Sequence, residues 1–245
     1  KEVTEYPGSP ESKAAAKAAG IIVTNTPGAV TDATADIALT LMLMTARRAG
    51  EGERMLRAGA WQGWHPTQML GAHMSGKSLG IIGMGRIGKA IAKRAHYGFG
   101  MPVRFFNRSA VANPGLPAEQ VDMETALGAD FVVIAVPGGP ATRHLIDADA
   151  LAHMQPHAFL INIARGDIVK ETALIAALKA EAIAGAGLDV YEHEPKVGAD
   201  LIAMENMTLL PHLGTAALEV REAMGLMAVA NLHAFFEGKP LPNLV

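Results

Sequence analysis

The chain has 245 residues, 50% hydrophobic and 18% charged, with a formal net charge of −3; this suits one large folded domain or two modest ones and excludes a disordered chain. It contains no cysteine, which excludes disulfides, thiolate metal sites and cysteine nucleophiles, and near-neutral charge without a basic run argues against a partner with a nucleic-acid backbone. The longest apolar stretch, Ile37–Met44 broken only by Thr40, is far short of the ~20 residues that span a bilayer, so a globular, cytoplasmic protein without a membrane partner is expected.

Lys1–Ser12 shows neither a signal-peptide layout nor a clear helix or strand, and the numbering is expected to open in mid-protein. Ser12–Ala19 reads as a short Ala/Lys helix ended by Gly20, and Ile21–Thr24 as a short buried strand stopped by Asn25-Thr26-Pro27-Gly28. A long helix is expected from Thr34, with Asp36 in its first turn, Ile37, Leu41 and Met44 on one face, and Arg47-Arg48 late, complementing the helix dipole. Leu39, Met42 and Leu43 make it apolar nearly all round, so it needs cover on more than one side, from its own core or from a second subunit.

After a loop holding Trp61 and Trp64, strands are expected at Ser78–Ile82, Val103–Phe106, Asp130–Val136, Ala158–Ile163, Gly185–Val190 and Thr208–Leu210. Helices are expected through Ile91, Ala92 and Ala95, then at Met123–Leu127, Ala148–Met154, Glu171–Glu181 and Ala216–Phe236. Strands that are continuous apolar runs, alternating with helices, indicate a doubly wound α/β fold with a parallel sheet covered on both faces.

Gly83-Met84-Gly85-Arg86-Ile87-Gly88 lies directly between a buried strand and a helix, where a GxGxxG turn works as a dinucleotide site. Gly83 allows the tight turn, Gly85 lets backbone approach a pyrophosphate, and Gly88 lets helix and strand pack closely. The phosphates would meet the free N–H groups of the helix start, Arg86 and Ile87 included; the alternative is a sharp turn without a ligand. The next strand ends in Asn107-Arg108-Ser109 with no acid. An Asp or Glu there would bind the ribose 2′-hydroxyl of NAD and repel a 2′-phosphate, whereas an Arg accommodates it. NADP(H) is therefore expected over NAD(H), the alternative being an arginine that faces solvent.

Three later motifs place chemistry beyond strand ends: Arg165 in Asn162-Ile163-Ala164-Arg165-Gly166, Asp189 and Glu194 in Gly187–Pro195, and His212 in Leu210-Pro211-His212-Leu213-Gly214. In a doubly wound sheet these ends share one edge, where ligands bind. The other histidines have no comparable context, and His153 and His157 are separated by Pro156 without a third ligand, so no metal site is expected.

These stretches, with Gly20–Pro27 (GIIVTNTP) and Ala46–Gly52 (ARRAGEG), resemble the D-2-hydroxyacid dehydrogenases, most closely the glyoxylate/hydroxypyruvate reductases, over residues 13–245. The resemblance implies that Arg165 grips the carboxylate and keto oxygen of a small 2-oxo acid. It implies that His212 gives a proton to the carbonyl oxygen, and that Glu194 accepts a hydrogen bond from His212 and favours its imidazolium form. Asp189 would orient the nicotinamide carboxamide. Val136, Pro137, Thr142, Ile163, Ala164 and Gly214 would line the cofactor groove with His212.

Relatives carry a longer N-terminal, flavodoxin-like substrate domain, so roughly seventy to eighty residues are expected to be missing before Lys1. Residues 1–26 would be a remnant of that domain, 27–214 the dinucleotide-binding domain, and 215–245 a C-terminal helix returning to the substrate domain. Relatives usually have Glu where the long helix has Asp36. A homodimer is expected, with the Trp61 and Trp64-His65 loop either packed in the chain or bordering a partner's substrate pocket. Two other readings stay open: a non-catalytic dinucleotide-sensing interaction protein like the dehydrogenase-related corepressors, and another dehydrogenase of the family, such as a phosphoglycerate-type enzyme.

Overall fold

The computed structural model describes residues 15–245; the reading of Lys1–Ser12 and the start of the Ser12–Ala19 helix lie outside them. Residues 15–18 are helical and Gly20 follows at φ +69. The next segment departs from expectation. Ile21 and Ile22 are exposed, and instead of a buried strand there is a single antiparallel bridge, Thr24 to Leu244. It is flanked by hydrogen bonds from Asn25 N to Asn243 O (3.1 Å) and Val245 N to Val23 O (3.0 Å). An apolar run makes a buried strand only where neighbours cover both faces, and here the C-terminal tail is the pairing partner.

Helix α1 (Thr31–Ala46) precedes α2 (Ala49–Arg57). Because α1 begins at Thr31, Asp32 occupies its first turn and Asp36 its second. Arg47 and Arg48 lie just beyond its end, so they do not sit in the last turn; Arg48 instead grips Glu51 of α2 through two bonds (2.7 and 2.8 Å). The inner side of α1, Ala35, Ala38, Leu41 and Met42, is buried in the chain's own core, while Leu43 is exposed. Trp61 and Trp64 are exposed as well, which removes the expected packing role within the chain.

The sheet is parallel throughout: β1 (Leu79–Ile82), β2 (Val103–Phe106), β3 (Ala118–Gln120), β4 (Phe131–Ile134), β5 (Phe159–Asn162), β6 (Gly185–Leu188) and β7 (Met207–Leu209), ordered β3-β2-β1-β4-β5-β6-β7. The chain winds outward from β1 to β3, then returns to place β4 on the other side of β1. That reversal opens a crevice above the β1 and β4 ends. The helices between strands are α3 (Arg86–Phe99), α4 (Met123–Leu127), α5 (Ala148–Ala152), α6 (Glu171–Lys179) and α7 (Ala199–Ile202), with α8 (Leu218–Phe236) last.

Alternation of side chains along each strand splits the core in two. Leu79, Ile81, Val103, Phe105, Val133 and Ile161 meet α1 and α3 on one face. Ile82, Val132, Ile134, Leu160 and Leu188 meet α4, α5, α6 and Leu201 of α7 on the other. Arg94 of α3 ties the first layer together, bonding Asp36 (2.8 Å) and Asp32 (3.0 Å) of α1. Asp130 pins strand starts, accepting from Ser78 N (2.8 Å), Ser78 Oγ (2.6 Å) and His157 (2.8 Å). Helix α8 is different: among its residues Asn231 and Ala234 are buried, while Leu226, Val229, Leu232, Phe235 and Phe236 are exposed.

Candidate active site

The glycine turn behaves as its spacing requires. Gly83 has φ +106, and a Cβ there would lie 2.7 Å from Ala135 O. A Cβ on Gly88 would lie 2.1 Å from Gly83 O, so this glycine is needed for helix and turn to pack. At Gly85 the opposite holds: nothing lies within 4 Å of an added Cβ. That open space borders the start of α3, where Arg86 is exposed and backbone N–H groups lack helical partners. Close packing at Gly83 and Gly88, with open space at Gly85, fits a diphosphate cradle.

At the end of β2, Asn107 is committed internally. Its Oδ1 accepts from Met84 N (3.2 Å), and its Nδ2 donates to Ser109 O (2.8 Å) and Ser109 Oγ (3.3 Å). The Asn107 amide is thus spent within the turn, which it frames. Arg108 and Ser109 are exposed, and Arg108 makes no ion pair or hydrogen bond among the described residues. Thr142 donates to Pro137 O (2.7 Å), shaping the loop after β4 beside Val136. Ile163 and Ala164 are buried, so they offer a ligand little side-chain surface.

Arg165 follows β5 on a loop held by Asn162, which is buried and was not anticipated as a site residue. Asn162 Oδ1 accepts from Ala164 N (3.0 Å) and its Nδ2 donates to Arg165 O (2.9 Å). Gly166 passes so close to the next loop that a Cβ would lie 1.8 Å from the Tyr191 carbonyl carbon. Glycine is obligatory at that crossing, and it brings the Arg165 loop against the segment carrying Glu194. The Arg165 stem also crosses Gly138, where a Cβ would lie 2.7 Å from its Cγ; Arg165 Nη1 donates to Ala164 O (2.6 Å).

Glu194 and His212 meet: His212 Nδ1 lies 2.8 Å from Glu194 Oε2, while Glu194 Oε1 accepts from Tyr191 N (3.0 Å). His212 has φ +55, a left-handed conformation uncommon for a non-glycine residue. The buried Asp189 holds it there. Its carboxylate accepts from Leu213 N (2.6 Å) and Gly214 N (2.8 Å), and its backbone carbonyl from His212 N (2.9 Å). Burial pushes the Asp189 carboxyl above its ordinary range, against the opposing pull of those two N–H groups. Thr34 of α1 donates to Gly214 O (3.2 Å), closing the loop from the other side.

A second carboxylate pair, also unanticipated, binds the loops together. His144, at φ +52, places Nε2 2.6 Å from Glu192 Oε1, and its N–H donates to Asp167 O (2.7 Å). Glu192 N in turn donates to Glu171 Oε1 (2.7 Å). Burial would raise the Glu192 carboxyl, but His144 and the Glu171 N–H outweigh it and hold it below the ordinary range. The loops after β4, β5 and β6 are thus one connected body. A cavity of about 410 Å³, lined by Arg48, Leu70, Phe159, Ala184 and Met207, lies at the opposite edge of the sheet, by the strand starts.

Comparison with known proteins gives the chain a family. Residues 39–214 match the family described as D-isomer specific 2-hydroxyacid dehydrogenase, NAD binding domain. The glyoxylate reductase of Thermococcus litoralis is 48% identical over 233 residues, 92% of this chain and 70% of that protein; that of Pyrococcus furiosus is 46% identical, over 92% and 69%. A solved NADPH-dependent glyoxylate/hydroxypyruvate reductase from Sinorhizobium meliloti, in complex with NADP and malonate, superposes with TM-score 0.89 at 38% identity, covering 98% of this chain and 74% of that one. The chain belongs to the D-isomer specific 2-hydroxyacid dehydrogenases, NAD(P)-dependent enzymes that move a hydride between a nicotinamide and a 2-oxo or 2-hydroxy acid.

Proposed function

We propose that this protein reduces small 2-oxo acids, glyoxylate and hydroxypyruvate foremost, with NADP(H) preferred. The observation that carries the reading is the His212–Glu194 pair at 2.8 Å on the same sheet edge as Arg165 and the open Gly85 turn. When bound, the dihydronicotinamide supplies the hydride that reduces the carbonyl carbon. Arg165 holds the substrate carboxylate with its planar fork. His212, with Nδ1 engaged by Glu194, donates from Nε2 to the carbonyl oxygen and accepts a proton there in the reverse direction. Glu194 orients the ring through the 2.8 Å contact at Nδ1. Asp189, buried, clamps the His212 loop by accepting from Leu213 N and Gly214 N.

Gly83, Gly85 and Gly88 with the Arg86 and Ile87 N–H groups would hold the cofactor's diphosphate, and Val136, Pro137, Thr142, Ile163, Ala164 and Gly214 would line its groove. The NADP(H) preference is supported by Arg108 and the Ser109 hydroxyl beyond β2, where no acid stands. Residues 27–214 form the dinucleotide-binding unit, and 15–26 and 215–245 belong with a substrate domain. The exposed Leu43, Leu56, Trp61, Trp64 and Leu70 support a homodimer built around α1 and the loop after α2.

Loss of NADPH absorbance on mixing with glyoxylate tests the activity. Rapid oxidation that NADH supports less well is expected. Tight cofactor binding without turnover would contradict the reductase reading and favour a dinucleotide-sensing protein.

A further inference from the structure

The turn that would meet the adenosine ribose is shaped from outside, by a strand the sequence pattern does not reveal. Gln120 ends β3 and stands in register beside Phe105 of β2. Its Nε2 donates to Asn107 O (3.2 Å) and Ser109 O (3.1 Å), while its Oε1 accepts from Val111 N (2.9 Å). One exposed amide thus fastens residues 107–111 at their start, middle and end. Asn107 continues the chain of contacts inward, through Met84 N to the glycine turn (3.2 Å).

This arrangement has an electrostatic consequence. The carbonyls of Asn107 and Ser109 would repel a phosphate, but both are engaged by the Gln120 amide. What the turn leaves to an incoming anion is the Arg108 guanidinium and the Ser109 hydroxyl. The neighbouring acid, Glu119, lies 3.8 Å from Arg104 on the adjacent strand and is partly balanced there. We infer that Gln120 is the positioning residue for cofactor discrimination: it holds the 107–111 turn in the shape that receives the 2′-phosphate of NADP. The inference rests on the NADP(H) reading above and adds the residue that enforces it.

The test compares wild type with Gln120→Ala, which removes all three bonds, and Gln120→Glu, which turns an acceptor toward the two carbonyls. The readouts are calorimetric affinity for adenosine 2′,5′-bisphosphate and for 5′-AMP, and KM for NADPH and NADH. Loss of a net hydrogen bond or two predicts that Gln120→Ala weakens 2′,5′-bisphosphate binding and raises KM for NADPH about tenfold. The 5′-AMP affinity and KM for NADH should move far less, and Gln120→Glu should be the more severe variant. Glu119→Ala, at the same strand edge, should leave the NADPH/NADH ratio in place. An unmoved ratio in both Gln120 variants, or an equal fall in Glu119→Ala, overturns the role of Gln120. A wild type that favours NADH overturns the NADP(H) reading itself, and is seen before any variant is made.

Discussion

His212 carries a backbone conformation that costs a non-glycine residue of order 1 kcal/mol or more. The cost is met locally: Asp189 grips the two N–H groups that follow, and Thr34 takes the Gly214 carbonyl. The strain therefore aims the imidazole at Glu194 instead of relaxing into an ordinary loop. If His212 is the acid–base group, His212→Asn should lower kcat by at least about a hundredfold while cofactor affinity, followed by fluorescence titration, stays close to wild type. Equal turnover would remove His212 from the chemistry. Arg165→Lys should raise the substrate KM and also lower kcat, because an ammonium cannot reproduce a two-pronged grip; steady-state kinetics with glyoxylate would show it, and unchanged constants would place the guanidinium away from substrate.

Among the elements, the glycine turn and the strand starts make opposite demands that mutation can separate. Gly88→Ala drives a Cβ to 2.1 Å from Gly83 O, a backbone clash expected to cost about 2 kcal/mol or more and to lower the melting temperature. Gly85→Val has open space; it should leave the melting temperature near wild type and weaken cofactor binding. At the strand starts, burial would raise the Asp130 carboxyl, but the Ser78 hydroxyl and N–H and His157 outweigh it and hold it below its ordinary range. A lowered carboxyl stabilises the fold fully above the unfolded value near 4 and loses that contribution as pH falls through the folded value. Asp130→Asn should therefore be less stable than wild type by about 1–3 kcal/mol at pH 5, with the gap closing toward about pH 2 in urea titrations.

The same elements show what could be read beforehand. Strands β1, β2 and β4 to β6 are continuous or near-continuous apolar runs between turn signals, and their helices follow with the right period. Ala118–Gln120 escaped because it is a polar, exposed edge strand, and α2 because none of its residues is buried. Ile21–Thr24 misled, since apolarity reports a wish for cover and not who supplies it. Arg165, Glu194 and His212 were legible as motif residues. Asn162, Gln120 and the His144–Glu192 pair were not, because side-chain bonds between distant loops leave no periodicity in the sequence.

Over the whole molecule, one sheet edge collects the loops from β1, β2, β4, β5, β6 and the segment after β7, and cross-braces join them before any ligand arrives. Preorganisation of this kind lowers the cost of holding donor and acceptor in reacting geometry. Exposed apolar surface on α8 and around Trp61 and Trp64 calls for cover of its own. The most direct test of the account is the crystal structure of the complex with NADP and oxamate, an unreactive mimic of a 2-oxo acid. Oxamate is expected at the nicotinamide with its carboxylate on Arg165 and its carbonyl oxygen within hydrogen-bond reach of His212 Nε2. Oxamate bound elsewhere, or His212 turned from the nicotinamide, would contradict it.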